Sequence, residues 1–212
     1  MQYCVLINSQ QKEQLENLEK LHDETVQNRT DDFKDLIIEL VKYIRENKPE
    51  LIKKPYLGQI FISANKIVYS FNKFKEAKKD PLFDIDEKGN IVDSHKELDV
   101  EEEAMILVFF SNAKAFLELI NRYTKFKQDS NLFKDIVLIR NYLVHFHDKK
   151  IEQREFFINL SIERGLREYS VLNVFDMDAG FLVYEINFSL ELFYFSLRDI
   201  FEKLKNNPGL FY

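Results

Sequence analysis

The chain has one cysteine, no tryptophan, five glycines and four prolines among its 212 residues. A lone Cys4 excludes an intramolecular disulfide and a zinc site built from cysteines. Five glycines are too few to wrap a nucleotide's phosphates in backbone amides, and the sequence has neither a phosphate-binding glycine loop nor a nucleophile elbow. We therefore expect no metal and no cofactor.

An excess of positive charge is also lacking. The 30 Lys and Arg residues are outnumbered by 36 Asp and Glu residues, which gives a formal net charge of -6. Proteins that coat nucleic acid usually carry a broad basic surface, because phosphate neutralisation provides most of their affinity. The charge therefore disfavours a nucleic-acid coat, and we expect no DNA partner. The net charge does not exclude an enzyme that contacts a few phosphates in a local pocket.

Long apolar runs are absent as well. The two most apolar stretches, 104–120 and 181–197, are interrupted by polar and charged residues. A membrane span needs roughly 20 apolar residues in succession. Residues 1–9 have no basic segment and too short an apolar run for a signal peptide. We expect a cytoplasmic protein without a membrane partner.

What the chain does contain is the material for a helical core. Hydrophobic residues make up 45% of it, including 20 Phe and 10 Tyr, whose rings fill volume efficiently. Thr30, followed by Asp31 and Asp32, resembles a capped helix start. Residues 80–98 lack a period and are interpreted as a surface loop. Apolar residues recur at helical spacing over 10–28, 33–44, 56–79, 99–127, 129–146 and 188–206.

Beyond residue 150 the pattern changes. Apolar residues alternate with other types over 156–163, and the segments 169–175 and 181–186 continue this strand-like pattern. The fold class we predict is mainly α, a helical bundle with a small β excursion in the C-terminal third. No repeat or linker divides the chain, so residues 1–212 are expected to form one domain.

The helix predicted over 129–146 carries the residues with the most chemistry. On a helical wheel Phe133, Val137 and Val144 fall within roughly 60° of Arg140 on one side, and further apolar residues flank it on the other. Arg140 is thus predicted near the middle of the apolar arc. A guanidinium is almost never buried without a partner, so it requires a carboxylate, a phosphate or a wet interface.

Asn141 and His145 lie four residues apart and share one flank of that arc. Arginine holds phosphate bidentately, and histidine moves protons near neutral pH. Together with the amide they form a set that can act on a phosphodiester. A structural alternative uses the same residues: Arg140 pairs with an acid such as Glu118 in the core, and His145 caps the helix.

The motif resembles a known one. Arg140-Asn141-Tyr142-Leu143-Val144-His145 is similar to the R-x4-6-H motif of the HEPN superfamily, which typically has a polar residue after the arginine. The motif match covers about 15 residues, and the remainder agrees in helical class. The resemblance implies a HEPN-like bundle that pairs with a second copy, so that two motifs meet in one cleft.

In active members of that superfamily the cleft cuts RNA without a metal. The resemblance implies that Arg140 and His145 are catalytic: Arg140 holds the scissile phosphate, and His145 takes a proton from the ribose 2′-OH. Asn141 positions Arg140 or the phosphate, and the product is a 2′,3′-cyclic phosphate. A HepT-like or defence-associated protein has RNA as substrate, and an antitoxin or regulatory protein as a further partner.

The sequence departs from the HepT-type toxins at one position. They typically carry a tyrosine two residues after the motif histidine, where this chain has His147. Modification of that tyrosine by a partner therefore does not apply. Two interpretations of His147 stay open: a second imidazole that helps to bind substrate beside the cleft, or a polar residue at a helix end.

Three functions follow from these observations. The first is a homodimeric RNA endonuclease of a toxin–antitoxin or antiviral defence system. The second is a non-catalytic HEPN-like dimer that binds a nucleotide, RNA or a partner protein, which the net charge favours. The third is a helical interaction protein whose motif is a coincidence. A monomer with Arg140 in an internal salt bridge favours the third.

Overall fold

The computed structural model describes residues 4–7, 12–26, 29–77, 83–85, 91–93, 100–144, 156–164, 167–176 and 181–212. The prediction of a mainly helical protein is confirmed, because helices account for most of the described residues. These residues include seven α-helices: α1 (Lys12–Val26), α2 (Phe33–Asn47), α3 (Pro49–Ile52), α4 (Pro55–Ala77), α5 (Val100–Tyr123), α6 (Ser130–Val144) and α7 (Leu190–Asn206). A 3-10 helix, Pro208–Leu210, follows α7.

The remaining regular segments are strands that pair antiparallel. Strands β2 (Phe83–Ile85) and β3 (Ile91–Asp93) pair with each other inside the segment that the sequence predicts as a loop. Four others pair in the order β1-β6-β5-β4. Their bounds are β1 (Cys4–Ile7), β4 (Phe156–Arg164), β5 (Arg167–Asp176) and β6 (Phe181–Phe188).

The core lies where α4, α5 and α7 meet. Phe71 of α4 stacks on Tyr194 of α7 with ring centroids 3.9 Å apart, and Phe110 of α5 meets Phe193 edge to face at 5.1 Å. All four rings are essentially without solvent exposure. Because one buried ring brings as much apolar area as two small aliphatic chains, few core positions are needed.

Helix α5 also has the length and composition of a membrane span over Ala104–Tyr123, the one such segment found among the described residues. Seven apolar side chains along it are fully buried within the protein itself. A core helix passes the same test of length and hydropathy, so the segment gives only weak evidence for a membrane. These seven are Ile106, Phe109, Phe110, Ala113, Phe116, Leu117 and Ile120.

The start of α2 differs from the prediction. Asp32 occupies the N-cap position, but its side chain makes no capping hydrogen bond. Its carboxylate instead accepts two hydrogen bonds from Arg198 of α7, at 2.7 and 2.8 Å. The guanidinium gives this carboxylate two charge-assisted hydrogen bonds and a full opposite charge, whereas a backbone N–H at a helix cap carries no net charge. Asp32 therefore joins two helices instead of closing the end of one.

Ser189 is a genuine cap. Its hydroxyl accepts a hydrogen bond from the backbone N–H of Leu192 at 3.2 Å, and the residue is buried. We expect Ser189→Ala to lower the free energy of unfolding by about 1 kcal/mol, because a buried N–H loses its acceptor. Urea denaturation measures the change. Ser189→Thr keeps the hydroxyl and should cost less; equal losses in both variants would contradict the capping role.

Candidate functional site

The candidate site lies on α6, which begins as a capped helix. The Asp129 carboxylate accepts a hydrogen bond from the backbone N–H of Asn131 at 2.8 Å. Leu132, Ile136 and Ile139 are buried, and α6 packs against α5. The spacing of these three residues at four and three positions places them on one face. This face fixes the rotation of α6 and therefore the direction of the remaining side chains.

The connection from α5 to α6 is fixed by an aromatic stack and by two hydrogen bonds of Thr124. The ring of Tyr123, at the end of α5, stacks on Tyr56 of α4 with centroids 4.4 Å apart. The buried Thr124 hydroxyl donates to the Ile120 carbonyl at 2.7 Å and accepts from the Phe126 backbone N–H at 3.1 Å. Since both contacts surround the turn, α6 leaves α5 in a defined direction.

Arg140 lies at the edge of the buried face of α6, not at its centre. The residue is half-buried, whereas Ile136 and Ile139 have no solvent exposure. On its other side Val144 is 36% exposed, and Val137 is half-buried. The sequence prediction of an arginine in the middle of the apolar arc is thus corrected: one half of that arc faces the core and the other half reaches the surface.

The Arg140 guanidinium makes a hydrogen bond to its neighbour in the motif. Its Nη1 donates to Asn141 Oδ1 at 3.2 Å. Glu118, the acid considered as a core partner, instead bonds to Lys114, with Nζ and Oε1 3.0 Å apart. Among the residues that the structure describes, no carboxylate forms a salt bridge with Arg140. The guanidinium is therefore oriented by an amide and keeps its net charge uncompensated there.

His145 and His147 lie outside the described residues, which end at Val144 in this part of the chain. The site as described consists of Arg140 and Asn141 on a fixed helix. An arginine has five N–H donors, and the contact with Asn141 uses one of them. The others suffice for a bidentate contact with a phosphate. No group of three metal-binding side chains occurs in the described part of the chain.

The charged cluster around Arg198 was not predicted from the sequence. This side chain is 8% exposed and contacts three carboxylates, those of Asp32, Asp199 and Glu202. The contact with Asp32 raises the pKa of Arg198, and the Arg198 guanidinium lowers the pKa of the Asp32 carboxyl. The i,i+4 spacing of Arg198 and Glu202 is visible in the sequence, but Asp32 lies too far away along the chain to be recognised.

Tyr194 closes the same cluster on its buried side. Its hydroxyl donates to Asp31 Oδ1 at 2.5 Å, and burial raises the pKa of the Tyr194 hydroxyl. Arg29 forms a second pair with Asp199, with two hydrogen bonds of 2.8 and 2.9 Å. Every charged group named here has a partner, so the cluster is a structural clamp between the start of α2 and α7.

Comparisons with known proteins add no relative: no family model, no curated protein and no solved structure matches this chain.

Proposed function

We propose that this protein is a metal-independent RNA endonuclease with a HEPN-like helical bundle and a small β excursion. It acts as a homodimer, and its composite cleft combines Arg140 and His145 from two copies. The observation that carries the proposal is the state of Arg140: half-buried, oriented by Asn141, and not paired with a carboxylate among the described residues. A cation held in this way has the free donors that a scissile phosphate requires.

The surface around Arg140 suits a second copy. Phe133 and Val137 are half-buried on the same flank of α6, and Val144 is 36% exposed. A symmetric interface places the same patch of both subunits face to face, so two such flanks bring two arginines together. Their charges would repel each other unless an anion lies between them. A phosphodiester is such an anion.

The reaction that these residues can perform is transesterification. His145 takes the proton of the ribose 2′-OH, the 2′ oxygen bonds to phosphorus, and the bond from phosphorus to the 5′ oxygen breaks. The leaving oxygen takes a proton from the second copy's imidazole or from water. Arg140 stabilises the charge that develops on the phosphorane oxygens. The products are a 2′,3′-cyclic phosphate and a 5′-hydroxyl. His147 contributes to substrate binding.

One observation favours a second candidate. With a net charge of -6 the chain lacks the excess of basic residues that most RNA-binding proteins carry. A HEPN-like dimer that binds a nucleotide, RNA or a partner protein without cleaving it is compatible with this charge. The two candidates share Arg140 and Asn141 but differ in the need for an imidazole.

The deciding experiment is cleavage of a mixed RNA pool in EDTA, at protein concentrations that favour a dimer. We expect wild-type protein to yield cyclic-phosphate ends, and His145→Ala to lower the rate ~100-fold or more, because general acid–base catalysis contributes that much. Mass spectrometry of the products identifies the ends. RNA that is bound but uncut by wild type would support the binding module, and cleavage undiminished in His145→Ala would exclude the proposed mechanism.

The biological setting is the one that the resemblance of Arg140-Asn141-x3-His145 to the HEPN motif implies. We propose a role in a toxin–antitoxin or antiviral defence system, with an antitoxin or regulatory protein as partner. Co-expression with the neighbouring reading frames, read out as relief of growth arrest, tests this role.

A further inference from the structure

A groove of about 460 Å³ runs between α2 and α4, away from the motif helix. Asn65 of α4 lines one side, and the other lining residues belong to α2: Ile37, Ile38, Val41, Lys42, Arg45 and Glu46. The lining combines three aliphatic side chains with charged ones that are exposed at the rim, two cationic and one acidic. Nothing in the candidate RNA-cutting site uses these residues.

The groove lies within an apolar surface. Seven large hydrophobic side chains are exposed in the described part of the chain, and five of them belong to residues 33–77. Ile38 is 56% exposed, and Ile62 and Tyr69 are each 57% exposed. Single exposed hydrophobic residues are ordinary, but four of these five lie on α2 and α4, and such a concentration indicates an interaction surface. The other two of these five are Tyr43 and Ile52.

The geometry of α4 extends this surface along the helix. Ile62 and Tyr69 are seven residues apart, so both point to the same face, and Gly58 lies one turn before Ile62. A Cβ added to Gly58 would meet no atom within 4 Å. The face therefore offers two apolar side chains and, beside Gly58, an open space that a side chain of a partner can occupy.

The charged side chains that line the groove indicate which kind of partner it can bind. Two cations, Lys42 and Arg45, and one acid, Glu46, line the groove, and both cations are exposed and form no ion pair among the described residues. The lining thus has an excess of one positive charge on a chain whose net charge is -6. A second copy would bring like charges together, which disfavours self-association through this face. Complementarity requires an acidic partner.

We propose that the α2–α4 groove binds an acidic amphipathic helix of a partner protein. Apolar residues spaced at i, i+3/i+4 and i+7 pack against Ile38 and Val41, and acidic residues beside them contact Lys42 and Arg45. Single-stranded RNA fits less well, since its bases need aromatic platforms and the exposed rings of this surface, Tyr43 and Tyr69, are not among the residues that line the groove. This binding function does not depend on RNA cleavage.

The test uses two helical probes and a charge exchange. Each probe is a stapled, fluorescein-labelled peptide of about 18 residues with leucines at the spacing above, flanked by glutamates in one and by lysines in the other. We expect wild type to bind the glutamate peptide. Lys42→Glu with Arg45→Glu should weaken that binding at least tenfold, an order-of-magnitude estimate for two rim charges, and should gain the lysine peptide. Fluorescence anisotropy measures both affinities.

The matched control reverses two exposed lysines elsewhere, Lys53→Glu with Lys203→Glu, which changes the net charge equally. We expect this variant to retain the affinity of wild type for the glutamate peptide. Ile38→Ser should also weaken binding while leaving the charge unchanged. The control variant, which has the same net charge, should not gain the lysine peptide, and circular dichroism should show both double variants folded. A gain confined to Lys42→Glu with Arg45→Glu therefore separates lost recognition from lost structure and from net charge.

Four outcomes would overturn the proposal. The first is equal or absent binding of the two peptides to wild type, and the second is an equal loss in the control variant. The third is displacement of the glutamate peptide by an oligouridine RNA, with the same dependence on Lys42 and Arg45; this would assign the groove to RNA. The fourth is a wild-type dimer that dissociates in the Lys42→Glu, Arg45→Glu variant, which light scattering would reveal and which would assign the groove to a second copy.

Discussion

Arg140→Ala should lower RNA cleavage by ~100- to 1,000-fold while leaving the fold intact, because the loss of one preorganised charge at a reacting oxyanion has that effect. The fold should persist because Arg140 is half-buried and its hydrogen bond runs to the neighbouring Asn141. Single-turnover cleavage in EDTA gives the rate, and thermal unfolding gives the stability. An unfolded variant would show instead that Arg140 supports the core.

Arg122→Ala provides the matched control for this prediction. Arg122 is exposed near the end of α5 and has the same charge, so its loss changes the net charge of the protein equally. We expect it to cleave at the wild-type rate. Arg140→Lys keeps the charge but loses the planar array of N–H donors. Its rate of cleavage should lie between the rates of wild type and Arg140→Ala. Equal rates in Arg140→Ala and Arg122→Ala would remove Arg140 from the mechanism.

Local patterns of the sequence were sufficient to predict six of the seven described α-helices; the short α3 (Pro49–Ile52) lies in a segment that was predicted as a connection. The apolar stripe of α2 predicts the side chains that the structure buries, because helical spacing and burial are set within a few turns. The prediction of helix α6 over 129–146 agrees with the start of Ser130–Val144 to within one residue, and residues 145 and 146 lie outside the described residues. A spacing pattern identifies the faces of a helix, but it does not identify the neighbour against which a face packs.

The candidate site shows where this limit matters. Val137 and Phe133 are as apolar as Ile136, so a wheel places Arg140 between two equivalent flanks. Only packing against α5 distinguishes them, and it buries Ile136 and Ile139 while leaving Val137 and Arg140 partly open. The same limit applies to Asp32, whose residue type suits a helix cap but whose partner, Arg198, lies on a helix near the other end of the chain.

We expect the largest loss of stability from Arg198→Ala, by about 2–3 kcal/mol. Removing one partner of a buried ion pair typically costs 3–5 kcal/mol, and the carboxylates here are partly solvated, which reduces the cost. Arg198 is 8% exposed, whereas Asp32, Asp199 and Glu202 are between 27% and 38% exposed. Urea denaturation at neutral pH measures the difference from wild type.

Arg29→Ala is the control, since Arg29 bonds to the same Asp199 but is 34% exposed. It should cost less than about 1 kcal/mol, as partly exposed ion pairs do. The loss of stability in Arg198→Lys should lie between the losses in Arg29→Ala and Arg198→Ala, because an ammonium cannot reproduce the two hydrogen bonds to Asp32. Equal losses in Arg29→Ala and Arg198→Ala would show that burial does not set the strength of this cluster.

The dependence on pH gives this prediction a second, independent readout. The Arg198 guanidinium lowers the pKa of the Asp32 carboxyl in the folded protein below its ordinary value of 3.8. As the pH falls, the Asp32 carboxyl therefore takes up its proton in the unfolded state before it does so in the folded state. The stabilisation by this pair is complete above the pKa of the unfolded state and is lost as the pH falls through the pKa of the folded state. The difference in free energy of unfolding between wild type and Arg198→Ala should be constant from pH 7 to pH 5 and should become smaller below about pH 4. A gap that stays constant throughout the acid range would mean that Arg198 stabilises α7 through packing of its aliphatic stem, and not through the carboxylate at the start of α2.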